Sequence, residues 1–435
     1  MKVTTILLLL ILIFVTSCVS KKLYNSTGIN EIGKEYVKLG LAIGQYDPDF
    51  VDAYYGPDSL KPLSKSLNGL PKDSLIKEVD ELLAKTKELS KIKGETGKRA
   101  NWMNSQLVAY KRRIRIATSD FASFDEESKD LFGVEAPHYN EQHFKSILNQ
   151  LNDMLPGTGT VNEKVESLSK QFIIPKDKLD TVFKVAIAEA RRRTATHFTL
   201  PTSESFTIEY VTGKPWSGYN WYKGNYKSVI QINTDLPIYI ERAIDLACHE
   251  GYPGHHVYNV LLEKNLYRDK GWVEISMYPL FSPQSIIAEG SANYGIAMAF
   301  PGVEGNEFAA NILLPLAGID TSKASIYFKM LELKGKLNYA RNEAARGFLN
   351  GTLTEKEAIG WLTDYSLFTP AAAAKSLSFI KGYRSYVINY NYGQDLIKNY
   401  IESNGGTESN VQKRWKLFGE ILSNPVTPVE LLNKQ

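Results

Sequence analysis

One short region interrupts the helical periodicity of this chain and limits the folds open to it. Polar and apolar residues alternate along 206–210, which is typical of a strand, and 228–232 is predicted to be a second strand. Elsewhere apolar residues recur at helix spacing. We therefore predict a mainly α fold with a small β-sheet directly before a histidine-rich helix. Helices are predicted over 72–93, 98–118, 176–196, 238–252, 284–299, 307–314, 323–349 and 354–364.

The N-terminal residues 1–18 are typical of a secretory signal. Lys2 is followed by the apolar run Ile6–Val15, which is too short to span a bilayer core of about 30 Å. The small residues before Cys18 resemble a lipobox, the bacterial signal that is cut just before its cysteine. The resemblance implies that Cys18 carries a lipid and that the protein is exported. It would then be anchored to a membrane and face the periplasm or the cell exterior.

The remaining chain divides into three predicted regions. Residues 19–28 are predicted to be a polar tether, 29–200 a helical region, and 201–435 a region that contains the sheet and the histidine-rich stretch. We expect the last two to form one integrated domain.

The charge balance argues against several classes of partner. With 51 basic and 48 acidic residues the net charge is +3, which gives no strong field for nucleic acid. The sequence also has no dinucleotide fingerprint and no phosphate-binding loop. We therefore expect neither a nucleic-acid partner nor a nucleotide cofactor. Cys248 is predicted to be a small buried residue rather than a ligand.

The stretch 249–256, His-Glu-Gly-Tyr-Pro-Gly-His-His, contains three of the six histidines. In zinc hydrolases, His-Glu-x-x-His places two imidazoles on one helical face, where they bind the metal. The intervening glutamate takes a proton from water. The stretch therefore predicts a Zn²⁺ site with His249 as a ligand and Glu250 as the general base.

The spacing of the histidines requires a break in the helix. Pro253 stands where the second histidine of that motif belongs, and His255 and His256 come six and seven residues after His249. On a straight helix the later position lies about 10.5 Å further along the axis, too far for Zn–N bonds of about 2.1 Å. Proline favours a kink, and Gly254 tolerates unusual dihedral angles. We therefore predict that the chain bends at Pro253 and Gly254.

A third ligand is predicted on a later helix. Glu289 lies in the small and apolar run Ala288-Glu289-Gly290-Ser291-Ala292, where a carboxylate is costly unless it is paired or coordinated. Asn293, one turn later, is predicted to support a metal ligand by hydrogen bonding.

Together these motifs resemble the bacterial family known as domain of unknown function 885. The resemblance rests on His-Glu-x-x-Pro-Gly-His-His at 249–256, on Glu-Gly-x-Ala-x-Tyr at 289–294 and on Gln-Ile-Asn-Thr at 231–234. The family is grouped with the gluzincins, zinc peptidases whose third ligand is glutamate. The resemblance therefore implies a zincin-like architecture with His249 and Glu289 as ligands and Glu250 as the base.

The resemblance leaves two assignments open. His255 is the preferred second ligand because related sites often place glycine before that histidine, and His256 is the close alternative, with the other of the two free to hydrogen-bond substrate. Phe379 stands where the family usually has tyrosine. Tyr383, Arg384 and Tyr386 are therefore candidate donors to an oxyanion.

The implied function is zinc-dependent hydrolysis of peptide bonds, with an exopeptidase as one form of it. By analogy with zinc peptidases, the strand at 228–232 is expected to hold an extended peptide substrate by strand addition. The alternative is a catalytically inactive lipoprotein that binds metal or peptide at the cell surface.

Overall fold

The computed structural model describes residues 28–63 and 69–433. The predicted signal at 1–18, the lipidation site Cys18 and nearly all of the predicted tether lie outside these ranges. Within them, no helix combines the length and the apolar character needed to cross a membrane.

Helices dominate the described chain, in agreement with the predicted fold class. The N-terminal helices are α1 (28–44), α2 (Lys72–Ser90), α3 (Glu95–Ala117), α4 (Phe124–Phe132), α5 (Glu141–Met154), α6 (Val161–Ser169) and α7 (Leu179–Ala195). The central helices are α8 (Glu241–Leu246), α9 (His255–Leu262), α10 (Pro283–Ala299), α11 (Glu304–Phe308) and α12 (Leu314–Ala317). The C-terminal helices are α13 (Ala324–Gly335), α14 (Ala340–Leu349), α15 (Glu355–Asp364), α16 (Pro370–Tyr383), α17 (Ile388–Ser403), α18 (Val411–Leu422) and α19 (Pro428–Leu432).

One predicted helix, at 323–349, is not continuous in the structure. The stretch 323–349 forms two helices, α13 and α14, separated by a turn at 336–339. Gly335 ends the first helix, and glycine is a poor helix former because its backbone loses the most freedom on folding.

The sheet that precedes the histidine-rich stretch has three strands rather than the two predicted. They are β2 (Ser205–Val211), β3 (Gly218–Gly224) and β4 (Lys227–Asn233). The order is β2-β4-β3, with β4 parallel to β2 and antiparallel to β3. The expectation that 228–232 accepts a peptide by strand addition is wrong, because both edges of β4 are already paired.

A second, two-stranded sheet joins distant parts of the chain. Strand β1 (Val51–Tyr54) pairs antiparallel with β5 (Met277–Pro279). Residues from both predicted regions also share one hydrophobic cluster, which includes Tyr36 and Trp102 on one side and Ile244 and Phe418 on the other.

Buried ion pairs make further connections between the two regions. Arg99 on α3 contacts Glu274, with its Nη2 2.7 Å from Glu274 Oε2. Glu127 on α4 accepts hydrogen bonds from Arg384, just after α16. Because breaking a buried pair leaves an uncompensated charge, each pair fixes the relative position of its two elements.

Helices α10 and α17 approach each other closely through two glycines. A Cβ atom on Gly290 would lie 2.3 Å from the carbonyl carbon of Gly393, so neither helix could come as near with a larger residue. This contact holds Glu289 of α10 beside Tyr386, which lies in the turn just before α17.

Candidate metal centre

The chain bends between α8 and α9, as predicted from Pro253 and Gly254. Helix α8 continues into a π-helical turn, Ala247–Gly251, which contains His249 and Glu250. Tyr252 is extended, the Tyr252–Pro253 peptide is cis, and α9 begins at His255. π-Turns often mark functional sites, since they re-aim side chains within a helix.

Gly254 is required at the bend because the backbone approaches itself there. A Cβ atom at this position would lie 1.9 Å from the carbonyl oxygen of His249 and 2.4 Å from that of Cys248. The φ angle of Gly254 is −77°, so the need for glycine comes from this contact and not from a left-handed conformation.

Three candidate ligands converge after the bend. The Nε2 atoms of His249 and His255 are 3.2 Å apart, and Glu289 Oε2 lies 3.2 Å from the first and 3.5 Å from the second. Zinc bonds of about 2.1 Å at tetrahedral angles place ligand atoms about 3.4 Å apart. The three separations therefore suit a single zinc ion, with a fourth position left for water or substrate.

The donor atoms also fit a cation by their chemistry. Glu289 Oε2 is buried and accepts no hydrogen bond, although two imidazole nitrogens face it. Two histidines and one glutamate form a donor set that zinc commonly uses in catalytic sites. A positive charge at this point, on a bound cation or on a protonated imidazole, would offset the charge of the buried carboxylate.

The electrostatics of the cluster also favour a positive charge among these three residues. Burial alone would raise the pKa of Glu289, but the neighbouring His255 and His249 hold it well below its ordinary value. Burial alone would lower the pKa of His255, but Glu289, Glu250 and Asp52 raise it to about 9. The surroundings of this imidazole therefore favour positive charge.

Two neighbours orient the candidate ligands. Asn293 donates from Nδ2 to the carbonyl oxygen of Tyr390 (2.7 Å), which leaves its Oδ1 to face His249 Nδ1 at 2.9 Å. His249 then carries its proton on Nδ1 and presents the Nε2 lone pair to the cluster. Tyr386 donates its hydroxyl to Glu289 Oε1 at 2.8 Å, which directs Oε2 toward the imidazoles.

Glu250 is buried beside the cluster, with 4% of its surface exposed. Its carboxylate has no hydrogen-bond partner among the described residues, and a Cβ on Gly218 would lie 2.9 Å from its Oε1. Burial raises the pKa of Glu250, an effect that His249 and His255 oppose. An unpaired carboxylate with a raised pKa suits a general base.

His256 does not join the cluster. Its ring is fully buried on the other side of α9, where Nδ1 lies 2.8 Å from Ser228 Oγ and Nε2 lies 2.9 Å from Glu204 Oε2. Both ring nitrogens have protein partners. The prediction of His256 as an alternative metal ligand or a substrate contact is therefore wrong, and the residue has a structural role.

The three predicted oxyanion donors take different positions. Arg384 forms a buried pair with Glu127, at 2.7 and 2.9 Å, and is absent from the cavity wall, so the proposed role for Arg384 is wrong. Tyr386 already donates its hydroxyl to Glu289. Tyr383 lines the cavity, stacked on Phe379, and its hydroxyl has no hydrogen-bond partner within the described chain.

The donor atoms open onto a cavity of about 420 Å³. Sequence reasoning missed three residues in its wall, which are Asp52 from β1, Tyr390 from α17 and Arg341 from α14. Asp52 accepts a hydrogen bond from Tyr219, and burial raises its pKa to about 6. No local motif surrounds any of the three, so only the tertiary fold brings them to the site.

Comparison with known proteins gives likeness of fold only. No protein-family model and no curated protein matches the chain. Its fold is similar to that of a predicted lipoprotein from Colwellia psychrerythraea, with a TM-score of 0.54 and 16% identity over 84% of this chain and 70% of that chain. A predicted lipoprotein of unknown function from Shewanella oneidensis gives a TM-score of 0.47 and 14% identity over 83% and 72%.

Proposed function

We propose that this protein is a zinc-dependent peptidase. The observation that carries the proposal is the convergence of His249 Nε2, His255 Nε2 and Glu289 Oε2 at tetrahedral spacing beside the unpaired carboxylate of Glu250. These four residues are the His, His, Glu and general base that metallopeptidase chemistry requires.

The residues around the cluster have separate roles in this reaction. A zinc ion held by His249, His255 and Glu289 would supply the Lewis acid that lowers the pKa of water and polarises a carbonyl. Glu250 accepts the proton of the attacking water and passes it to the leaving amine. Tyr383 and Tyr390 line the cavity with hydroxyls that have no hydrogen-bond partner within the described chain, so either can donate to the developing oxyanion.

Strand β3 offers a route for the substrate backbone. It is an edge strand of the three-stranded sheet in the described chain, and its residues Gly218, Tyr219 and Asn220 line the cavity. Asn220 also donates to the carbonyl oxygen of Glu250 at 2.7 Å, which ties the strand to the candidate base. An extended peptide added to β3 would therefore pass Glu250.

The direct experiment compares the mature protein with Glu250→Gln. We expect about one zinc per chain in both proteins, cleavage of a peptide library by the wild type, and loss of cleavage in the variant. Zinc without cleavage would favour the alternative of an inactive binding protein, and absence of zinc would contradict the metal centre.

We also propose export and lipid anchoring through Cys18. The signal-like segment at 1–18 supports this, and the Colwellia protein of similar fold is itself named as a lipoprotein. In bacteria grown with labelled palmitate, the wild type should incorporate label and fractionate with membranes, whereas Cys18→Ala should do neither. Membrane association of the unlabelled variant would contradict the proposal.

A further inference from the structure

Arg341 is a cation in the cavity wall without an acidic partner. The other lysine and arginine side chains that line the cavity are neutralised, since Arg242 lies 3.1 Å from Asp245 and Lys375 lies 3.6 Å from Asp235. Among the described residues, no carboxylate lies within ion-pair distance of Arg341. Arg341 is half-buried and burial lowers its pKa, so leaving the guanidinium unpaired is costly.

The Arg341 side chain is held in place with its terminal nitrogens unused. Its Nε donates to Ser376 Oγ at 3.0 Å, and the guanidinium lies over the ring of Phe379 at 4.9 Å and that of Tyr390 at 5.9 Å. Neither terminal nitrogen has a hydrogen-bond partner in the described chain. A planar guanidinium in this state can bind a carboxylate through two parallel hydrogen bonds.

The position of Arg341 is close to the candidate reaction centre. The ring of Tyr390 is 5.8 Å from that of Tyr386, whose hydroxyl binds Glu289. The rings of Tyr390 and Tyr386 therefore connect Arg341 to Glu289. Because Arg341 and the candidate ligands line the same cavity, a peptide whose terminal carboxylate is bound by Arg341 has its C-terminal residues in the cavity that the candidate ligands face.

The cavity also contains a candidate anion for binding an amine, but that group is already partnered. Asp52 accepts a hydrogen bond from the hydroxyl of Tyr219, whereas the terminal nitrogens of Arg341 accept nothing and donate to no described group. Among the described charged groups of the wall outside the candidate metal centre, Arg341 is therefore the one left without a partner, and a negative charge would satisfy it.

We propose that Arg341 binds the free C-terminal carboxylate of a peptide, so that the cavity selects the carboxyl end of its substrate. This inference rests on the proposed peptidase function and makes the enzyme a carboxypeptidase. Lys375, already paired with Asp235, is the matched cation that should matter less.

The test uses one peptide sequence in three forms, incubated with the zinc-loaded mature protein and followed by mass spectrometry. One form ends in a free acid, one in an amide, and one in aspartyl amide, which offers a side-chain carboxylate only. We expect residues to be released from the C-terminus of the free acid about 10- to 100-fold faster than from either amide. Equal cleavage of an amide form, or release from the N-terminus, would overturn the inference while leaving the peptidase proposal intact.

Variants of Arg341 sharpen this comparison. Arg341→Met should abolish the preference for the free acid, and Arg341→Lys should retain part of it because charge remains without the planar fork. Lys375→Met should keep the preference. Retention of the full preference in Arg341→Met, at unchanged zinc content and thermal stability, would contradict the assignment.

A binding measurement separates failure of this inference from failure of the proposed function. On zinc-loaded Glu250→Gln, calorimetry should show the free acid binding about 10- to 100-fold more tightly than its amide, with the difference lost when Arg341→Met is added. If the wild type cleaves no peptide, the peptidase proposal fails and this measurement still decides the role of Arg341. Equal affinity for acid and amide would overturn it.

Discussion

His255 and His256 are neighbours in the chain, but their imidazoles belong to two different buried clusters. His256 belongs to a cluster with Ser228, Glu204 and Tyr252 in which both ring nitrogens have partners, and Tyr252 donates to Glu204 at 2.7 Å. His255 faces His249 and Glu289, and Glu289 Oε2 receives no hydrogen bond.

The difference between the two clusters lies in what the protein leaves unsatisfied. The His256 cluster is completed by the protein's own side chains and lies outside the cavity wall, as expected of groups that stabilise the fold. The His255 cluster lines the cavity, and its three candidate ligand atoms lie close enough together to hold a metal ion. Buried polar groups that are held in a fixed position but lack a hydrogen-bond or ionic partner are candidates for binding a ligand.

The largest expected effect is on zinc affinity, which should depend on His255 but not on His256. His255→Ala should lower zinc affinity on the order of 10³-fold, because it removes one of the protein ligands. His256→Ala should retain zinc but lose stability, since Glu204 then loses a buried partner. Zinc titration with a chelator and thermal unfolding check the pair. Loss of zinc in His256→Ala with retention in His255→Ala would reverse the assignment.

Substitutions of the two buried glutamates, Glu250 and Glu204, should likewise differ in their effect on peptide cleavage. Glu250→Gln should reduce kcat about 10³-fold, the usual effect of losing a general base, while zinc content stays the same. Glu204→Gln should leave peptide cleavage close to wild type at temperatures where the protein is folded. Steady-state kinetics with metal analysis measures both, and full activity in Glu250→Gln would remove it from the reaction.

Asn293 connects the candidate ligands to α17, and its substitution should have a smaller effect. Asn293→Ala removes the acceptor that fixes His249 Nδ1, so zinc affinity should fall about 10- to 100-fold. Asn293→Asp restores an acceptor and should recover much of the loss. Equal affinity in wild type and Asn293→Ala would show that His249 needs no such support.

The smallest expected effect is a pH dependence of stability in the His256 cluster. Burial would raise the pKa of Glu204, but His256, Tyr252 and Arg191 lower it to about 2 from 4.5. Because the folded pKa is depressed, this stabilisation is present above pH 4.5 and is lost as the pH falls toward 2. Glu204→Gln should therefore be about 2 kcal/mol less stable than wild type at pH 7. The difference should shrink below pH 4.5 in denaturant unfolding, and a difference that persists unchanged at low pH would contradict the ionic contribution.

The bend at Pro253 could be predicted from the sequence because its causes are local. The histidine spacing cannot serve one metal on a straight helix, and proline interrupts the helix at the position that relieves the problem. The π-turn that carries His249 could not be predicted, since its hydrogen-bond pattern depends on how the helix packs.

The choice between His255 and His256 depends on long-range contacts. Glu204, which occupies His256 Nε2, is 52 residues away in the chain and belongs to no recognisable motif. Strand β3 could not be predicted from the sequence either. Aromatic residues lie on both of its faces, as Tyr219 and Tyr222 show, and they mask the alternation that predicts a strand. Arg341 lies in a stretch with ordinary helical periodicity, so nothing local distinguishes it.

The most direct test of the metal centre is anomalous diffraction at the zinc edge from crystals of the mature protein. We predict one strong peak about 2.1 Å from His249 Nε2, His255 Nε2 and Glu289 Oε2, with His256 still bound to Ser228 and Glu204. A zinc-soaked crystal with no peak between these three atoms, or with a peak at His256, would contradict the assignment.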